Sequence, residues 1–303
     1  MAAQSYRQVL KTWLLALRPW SFTMTAISVS VGALWAADEG INGGLYMLTL
    51  LSITALHGAA NLSNDYCDVK NNVDTPNAPN VRFRPHPLVM HKLSMRQVLV
   101  TAYGLYGLGF GVGLFLIISR GWALLFIGLA GILIGIFYTA KPVAFKYHGL
   151  GEIAVFTIWG PLTTSAAYYV QARHFSPSLL VVAMPIGILI ALVLLANNLR
   201  DATTDKGRNI RTLPVAIGQT RAKQLYVLLL AVAFLSVILM AVFGPLNLWA
   251  LLVLLALPYA AKLSRMMYKS IPPDADVRTA KLDTVFGILL ILAILIKVYH
   301  LAG

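Results

Sequence analysis

The sequence predicts an all-α membrane protein in which nine transmembrane helices surround a central cavity that opens to the cytoplasm. Of its 303 residues, 58% are hydrophobic and only 12% are charged, whereas a soluble domain carries about 25% charged residues. The basic residues are distributed unequally between alternate connections of the apolar segments. Two acidic clusters, at 61–68 and 197–205, lie at the ends of long apolar segments. Together these three observations predict the fold class.

The individual helices are predicted from apolar segments near the roughly 20 residues that a helix needs to cross a bilayer. Residues 1–17 are basic and amphipathic, so we expect an interfacial N-terminal segment there. No soluble linker or low-complexity tract divides the chain, which predicts a single polytopic domain over 1–303. The predicted helices lie near 20–37, 43–64, 97–118, 121–138, 150–171, 177–198, 224–243, 246–262 and 283–302.

The distribution of basic residues predicts the orientation in the membrane. If the N-terminus is cytoplasmic, 21 of the 24 Lys and Arg residues lie on the cytoplasmic side, and only Arg120, Arg173 and Lys297 lie on or near the other. Cytoplasmic connections of membrane proteins carry such an excess of Lys and Arg. The net charge of +13 therefore follows from membrane orientation and does not indicate a nucleic-acid partner. We expect an integral protein of the cell inner or plasma membrane, with both acidic clusters facing the cytoplasm.

Each acidic cluster places three polar side chains on one helical face. The spacing is i, i+4, i+7 in the first cluster and i, i+3, i+7 in the second. Carboxylates are costly in a membrane, where they mark functional sites by default. The three side chains are Asn61, Asp65 and Asp68 in the first cluster and Asn198, Asp201 and Asp205 in the second.

Two facing sets of carboxylates would repel each other unless cations lay between them. Oxygen ligands of this kind suit Mg²⁺, which proteins hold with a few carboxylates plus substrate phosphates. We therefore predict a diphosphate site with Mg²⁺ as the cofactor. The predicted metal-binding and catalytic residues are Asp65, Asp68, Asp201 and Asp205, oriented by Asn61, Asn64 and Asn198. The other predicted substrate-binding residues are Asp74, Arg82, Arg84, Tyr138, Lys141, Lys146, Arg200, Lys206 and Arg211.

Other side chains near these clusters receive plainer interpretations. The single cysteine, Cys67, excludes an intramolecular disulfide, and because Mg²⁺ does not favour sulfur we interpret it as a packing residue. Arg18 is interpreted as an anchor at the membrane interface. His86, His91 and His148 are interpreted as loop histidines with no catalytic role.

The acidic motifs resemble those of the UbiA superfamily of intramembrane prenyltransferases, and the resemblance covers essentially the whole chain. Residues 64–68, continuing to Asp74, are similar to the first aspartate-rich motif of that family, and 198–205 are similar to the second. The resemblance implies nine transmembrane helices, a polyprenyl diphosphate and Mg²⁺ bound at the two motifs, and an active site open to the cytoplasm. Within the superfamily, 147–152 and 197–218 are similar to 1,4-dihydroxy-2-naphthoate prenyltransferases of menaquinone synthesis.

This resemblance implies transfer of a polyprenyl group to an aromatic quinone precursor, which needs a base within reach of the acceptor's hydroxyl. Glu152 is the candidate, although a carboxylate in the first turn of a helix is also favoured by the helix dipole.

Two alternatives stay open from the sequence. The first is the same fold with another acceptor, such as 4-hydroxybenzoate, homogentisate, a porphyrin or a glycerol phosphate. The second is a cation-coupled transporter, whose carboxylates would be expected near the middle of the bilayer. The clusters here lie at one end of their helices beside basic connections, which favours the enzyme.

Overall fold

A computed structural model describes residues 6–76, 81, 85–139 and 142–301, with the side chains of 299–301 excepted. Within these residues the chain is helical and contains no strand. The helices are α1 Tyr6–Leu17, α2 Phe22–Trp35, α3 Gly43–Lys70, α4 Met95–Arg120, α5 Ala123–Thr139, α6 Gly151–Thr157, α7 Thr163–Ala172, α8 Pro177–Gly207, α9 Leu213–Ile217, α10 Gln219–Phe243, α11 Leu257–Lys269 and α12 Ala275–Leu301.

Shorter helical turns connect some of these helices. A π-helical turn, Ile158–Leu162, joins α6 to α7 and contains Pro161, which has no N–H to continue the regular hydrogen bonding. A 3₁₀ segment, Leu248–Ala256, leads directly into α11. Further 3₁₀ turns are Pro19–Ser21, Ala37–Glu39 and Phe145–His148.

Among the described residues, six helices are long and apolar enough to cross a membrane. A seventh span arises if α1 and the helix Pro19–Trp35, which are bent by 44° at Arg18, are counted together. The shorter α5 is also apolar. The chain is therefore an all-helical membrane protein, while the number of nine crossings and the cytoplasmic opening stay predictions. The six spans are Gly43–Lys70, Met95–Arg120, Pro177–Gly207, Gln219–Phe243, Leu248–Lys269 and Ala275–Val298.

The helices that carry the acidic clusters are longer than predicted. We expected the second and sixth helices to end near 64 and 198, but α3 continues to Lys70 and α8 to Gly207. A membrane span predicted from hydropathy ends where charged residues begin. The backbone hydrogen bonding of the helix can continue past those charged residues. As a result, both clusters are integral parts of helices, so the shared faces inferred from their spacing are real.

Helix α8 forms the centre of the bundle. In its most apolar window 67% of the residues are buried, against 17% for α4, which lies at the periphery. Helices α10 and α12 pack on α8 through a continuous apolar core that includes Leu192, Tyr226 and Phe286. The second acidic cluster is therefore carried by the most constrained helix of the fold.

Helix α3 lies on the other side of the molecule and packs closely against α4. The Ser52 hydroxyl donates a hydrogen bond to the Gly109 carbonyl at 2.8 Å. A side-chain carbon at Gly109 would lie 2.6 Å from Leu56, so only glycine permits this approach. The first acidic cluster is thus positioned by a tight helix pair that is independent of the α8 core.

The predicted orientation can be tested by cysteine labelling in a Cys67→Ala background. We expect a cysteine placed between 206 and 211 to react only from the cytoplasmic side, because basic connections stay in the cytoplasm. A cysteine at Glu39, which is exposed in the connection between α2 and α3, should react only from the opposite side. Labelling of both positions from one side with a membrane-impermeant maleimide would contradict the predicted orientation and helix count.

Candidate active site

The first acidic cluster lies on the inner face of the last turns of α3. Asp65 is 3% exposed and Asp68 is 5% exposed. Buried carboxylates need ionic or hydrogen-bonding partners, since an unpaired buried charge is strongly unfavourable. The partners come from three separate parts of the chain.

Arg18 is the partner of Asp65, to which its guanidinium donates a short hydrogen bond from Nη2. Arg18 lies in the turn between α1 and α2 and its guanidinium is directed at Asp65, a contact that the interpretation of Arg18 as an interface anchor did not include. Its Nε is buried and has no hydrogen-bond partner. The guanidinium therefore keeps donor capacity for a further anion beside Asp65. Sequence reasoning missed this contact because 47 residues separate the two side chains.

His86 lies between Asp65 and Asp74. Its Nε2 is 3.5 Å from a carboxylate oxygen of Asp65 and 3.2 Å from one of Asp74. Burial lowers the pKa of His86, but the two neighbouring carboxylates outweigh burial and raise the pKa to about 9. His86 was interpreted as a loop histidine, yet it is 5% exposed and belongs to this cluster. The other two predicted binding residues of this connection, Arg82 and Arg84, lie outside the described residues.

Lys146 is the partner of Asp68, with Nζ 2.7 and 2.9 Å from the two carboxylate oxygens. The 3₁₀ turn Phe145–His148 holds Lys146 in place. Burial lowers the pKa of Lys146, but the charge of Asp68 more than reverses this and raises the pKa above its usual value. Asn64 also donates to Asp68, at 2.8 Å, while its own carbonyl oxygen is buried without a partner.

Tyr138, near the end of α5, and Glu152, in the first turn of α6, lie near the pair formed by Lys146 and Asp68. A side-chain carbon placed on Gly151 would be 3.5 Å from the Tyr138 hydroxyl, so the phenol lies against the first turn of α6. Asn198 donates a hydrogen bond to Oε1 of Glu152 at 2.9 Å, whereas Oε2 is buried and has no partner. Lys141 lies outside the described residues.

In the second cluster, Arg200 binds the carboxylate of Asp201 through two hydrogen bonds of 2.9 and 2.8 Å. The same guanidinium contacts Asp276, in the first turn of α12, at 2.9 Å, and Asn197 at 2.6 Å. Arg200 therefore has its donors turned toward protein groups. Asp276 was not identified from the sequence, because nothing in its surroundings resembles the two motifs.

Asp205 has weaker partners than Asp201. The Thr212 hydroxyl donates to Asp205 at 3.3 Å, and Lys146 interacts with Asp205 through charge. Two further predicted binding residues, Lys206 and Arg211, line a neighbouring surface pocket of about 300 Å³. Asp205 is thus the carboxylate most available to an added cation in this cluster.

The two clusters lie at the same end of the bundle. Arg208, which follows α8, donates to the Val73 carbonyl and, at 2.9 Å, to the Thr75 hydroxyl, both of which follow α3. Lys146 is paired with Asp68 and interacts with Asp205. The connections after α3 and α8 are therefore joined, as expected if both clusters serve one site.

The donor set of both clusters fits Mg²⁺. The candidate ligands are carboxylate oxygens, and the buried carbonyl oxygen of Asn64 lacks any partner beside Asp68. Hard oxygen donors of this type are the ligands that Mg²⁺ prefers. Asp65, Asp74 and His86 also bring one ligand atom each to within 4.8 Å of one another. Since imidazole suits transition metals better, the carboxylates are the better candidates for Mg²⁺.

Comparison with known proteins gives a consistent result. The sequence model of the UbiA prenyltransferase family matches residues 25–293. A 1,4-dihydroxy-2-naphthoate octaprenyltransferase of Bacillus subtilis is 28% identical over 288 residues, covering 93% of this chain and 92% of the relative. A UbiA prenyltransferase domain-containing protein 1 homolog of Drosophila melanogaster is 31% identical, covering 94% of this chain and 79% of the relative.

Solved structures are similar in fold. A UbiA homolog from Archaeoglobus fulgidus bound to GPP and Mg²⁺ superimposes with a TM-score of 0.66 at 16% identity, covering 93% of this chain and 99% of that one. At this identity the similarity establishes the fold alone.

Proposed function

Because this chain belongs to the UbiA prenyltransferase family, we propose that it transfers a polyprenyl group from a prenyl diphosphate to an aromatic quinone precursor, with 1,4-dihydroxy-2-naphthoate as the acceptor. It is a prenyltransferase enzyme with Mg²⁺ as its cofactor. The observation that carries the proposal is that the buried first acidic cluster, paired with Arg18 and Lys146, lies at the same end of the bundle as the second cluster.

The four aspartates hold the metal in this proposal. Asp65 and Asp68 with Asn64 form one set of ligands, and Asp201 and Asp205 form the other. When bound, Mg²⁺ acts as a Lewis acid that neutralises the negative charge of the diphosphate leaving group. Asn61, Asn64 and Asn198 are proposed to orient these aspartates.

The basic side chains bind the diphosphate. Arg18 is paired with Asp65 and Lys146 with Asp68, so both cations lie where they could also contact phosphate oxygens beside a metal held by those carboxylates. Arginine suits two-pronged contact with phosphate, while lysine acts as a point charge. Lys206 and Arg211 lie farther out and favour approach of the anionic substrate. Arg200 is proposed to orient Asp201, because its donors already contact Asp201, Asp276 and Asn197.

The proposed reaction transfers the prenyl group in the following way. The allylic C–O bond breaks, and the diphosphate leaves with the electron pair. A ring carbon of the acceptor attacks the allylic carbon to form the new C–C bond while the acceptor loses its phenolic proton to a base, and transfer of the remaining proton from that ring carbon to the oxygen restores the aromatic ring. The unpartnered Oε2 of Glu152 is the proposed proton acceptor. A dry interior protects the allylic cation from water.

The choice of acceptor rests on two observations about sequence. The similarity to the Bacillus subtilis enzyme covers nearly all of both chains, and 147–152 resemble that branch of the superfamily. Other aromatic acceptors and glycerol phosphate are therefore the alternatives to be tested. We also propose that the site faces the cytoplasm of a cell inner or plasma membrane, as the distribution of Lys and Arg favours.

The test is prenyl transfer by the purified protein in detergent. With radiolabelled prenyl diphosphate and Mg²⁺, we expect a lipid-soluble product with 1,4-dihydroxy-2-naphthoate and much less with 4-hydroxybenzoate, homogentisate or glycerol phosphate. EDTA should abolish product formation, and added Mg²⁺ should restore it, because four carboxylates need a cation to accept a diphosphate. Product with a different acceptor would replace the acceptor assignment. Absence of product with every acceptor, together with cation transport in vesicles, would favour a transporter.

A further inference from the structure

His57 lies on α3 one turn before Asn61, on the same face as the first acidic cluster. It is not among the residues proposed to bind the metal or the diphosphate. Both of its ring nitrogens have hydroxyl partners, one in the 3₁₀ turn before α2 and one in α2 itself. Nε2 is 3.2 Å from the Ser21 hydroxyl, and Nδ1 is 2.9 Å from the Thr25 hydroxyl. The ring is tilted against Trp159 with centroids 4.5 Å apart and meets Phe22 edge-on at 5.3 Å. The imidazole is therefore held in one position and orientation.

The hydrogen bonds around Ser21 determine which ring nitrogen carries the proton. The Ser21 hydroxyl donates its only proton to the Arg18 carbonyl at 2.8 Å. It accepts from the Asn61 amide at 3.3 Å, so toward His57 it has only a lone pair to offer. Nε2 of His57 must therefore be the donor, and Nδ1 of the neutral ring accepts from Thr25.

This network ends at an unusual backbone conformation. Arg18 has φ 56° and ψ 55°, in the left-handed region, and is followed by Pro19. Such a conformation is unfavourable for any residue with a side chain and persists only where the surroundings enforce it. The Ser21 amide and hydroxyl both bind the Arg18 carbonyl, and Asn61 binds the Leu17 carbonyl at 3.0 Å. These contacts set the direction in which the Arg18 side chain leaves the turn.

We propose that His57 is a positioning residue that, through Ser21, fixes the turn at Arg18 and holds its guanidinium at the first acidic cluster for the diphosphate. The proposal rests on the proposed function, since it assigns Arg18 to the donor substrate. A histidine that only packed in the core would not act through Arg18, whereas the proposed role requires that any effect of His57 on diphosphate binding depend on Arg18.

Two conservative substitutions of His57 distinguish the roles of its two ring nitrogens. Glutamine can place an amide N–H where Nε2 lies, which keeps the donor to Ser21. Asparagine reaches only as far as Nδ1 and loses that donor. We expect His57→Asn to raise the Kd and KM for the prenyl diphosphate roughly 10-fold, as loss of a buried hydrogen bond would. His57→Gln should stay within about 3-fold of the wild type, and the KM for the acceptor should be unchanged in both.

The decisive experiment is a double-mutant cycle with Arg18→Ala. Binding of geranyl diphosphate with Mg²⁺ is measured by calorimetry, and turnover is measured in parallel. In the Arg18→Ala background, His57→Asn should cost no more than about 2-fold, because coupled residues are not additive. Ser21→Ala should have the same effect as His57→Asn, since it removes the other partner of the same hydrogen bond. His174→Asn, which alters a histidine paired with Glu39 at the other end of the molecule, is the matched control and should change nothing.

Additive losses in the cycle, or equal losses for the glutamine and asparagine variants, would overturn the positioning role. Melting temperatures in detergent distinguish the positioning role from a folding defect. His57→Gln and His57→Asn should have similar melting temperatures but differ in their affinity for the prenyl diphosphate. If the wild type binds geranyl diphosphate but transfers it to no acceptor, the proposed reaction fails while the positioning of Arg18 is still measured. If the wild type does not bind it, both proposals fail.

Discussion

Asp65→Ala should abolish prenyl transfer, with a loss of roughly 1,000-fold or more in turnover, the scale seen when a charge-stabilising group is removed from an active site. The carboxylate is buried and already holds Arg18. Without it, the site loses a metal ligand and Arg18 has no carboxylate to hold it near the diphosphate. Turnover with saturating prenyl diphosphate and acceptor, measured over a range of Mg²⁺ concentrations, checks this expectation.

The same substitution threatens folding, because it leaves a partly buried guanidinium unpaired at a cost of about 3–5 kcal/mol. Asp65→Asn avoids much of this cost, since its amide oxygen still accepts from Arg18, but it remains a poor metal ligand. We therefore expect Asp65→Asn to fold and to be inactive. Asp274→Ala, which removes a carboxylate paired with Arg278 outside both clusters, is the control and should retain activity.

Asp201→Ala should give a similar loss through the second metal-binding set. Arg200 would keep Asp276 and Asn197 as partners, so the fold should suffer less than in Asp65→Ala. Normal turnover in Asp65→Asn or Asp201→Ala would refute the assignment of the two clusters to metal.

The aspartate clusters were predictable from the sequence because the pattern is local. Asp65 and Asp68 lie three residues apart in one helix, and helical periodicity alone places them on one face. A local pattern also suggested Glu152, which lies in the first turn of a helix that begins at Gly151. These assignments needed no knowledge of how distant segments meet.

The partners of those carboxylates were not predictable in the same way. Arg18 reaches Asp65 only because the turn before Pro19 is left-handed, which neither composition nor hydropathy indicates. His86 meets Asp65 and Asp74 only through tertiary packing. The sequence also favoured a diphosphate contact for Arg200, but hydrogen bonds to Asp276, 76 residues away, turn it toward the protein. Side chains that pair over long separations depend on tertiary packing, which hydrophobic periodicity does not describe.

Glu152→Gln should lower turnover by about 100-fold, the contribution of a well-placed general base, and leave prenyl diphosphate binding nearly unchanged. The carboxylate is buried at the start of α6, where Asn198 donates to Oε1 and Oε2 has no partner. Glutamine preserves the shape and can still accept from Asn198 through its amide oxygen. It replaces the free oxygen by an NH₂ group, which cannot take up a phenolic proton.

The experiment compares kcat and the KM for each substrate in Glu152→Gln, with Glu39→Gln at the other end of the molecule as the control. A second variant, Asn198→Ala, removes the hydrogen bond that orients the carboxylate, and we expect a smaller loss because the base itself remains. If the acceptor is supplied as its phenolate at high pH, the Glu152→Gln defect should shrink, since the proton has already gone. A defect that persists unchanged at high pH, or equal loss of donor binding and turnover, would reduce Glu152 to a residue that stabilises the start of its helix.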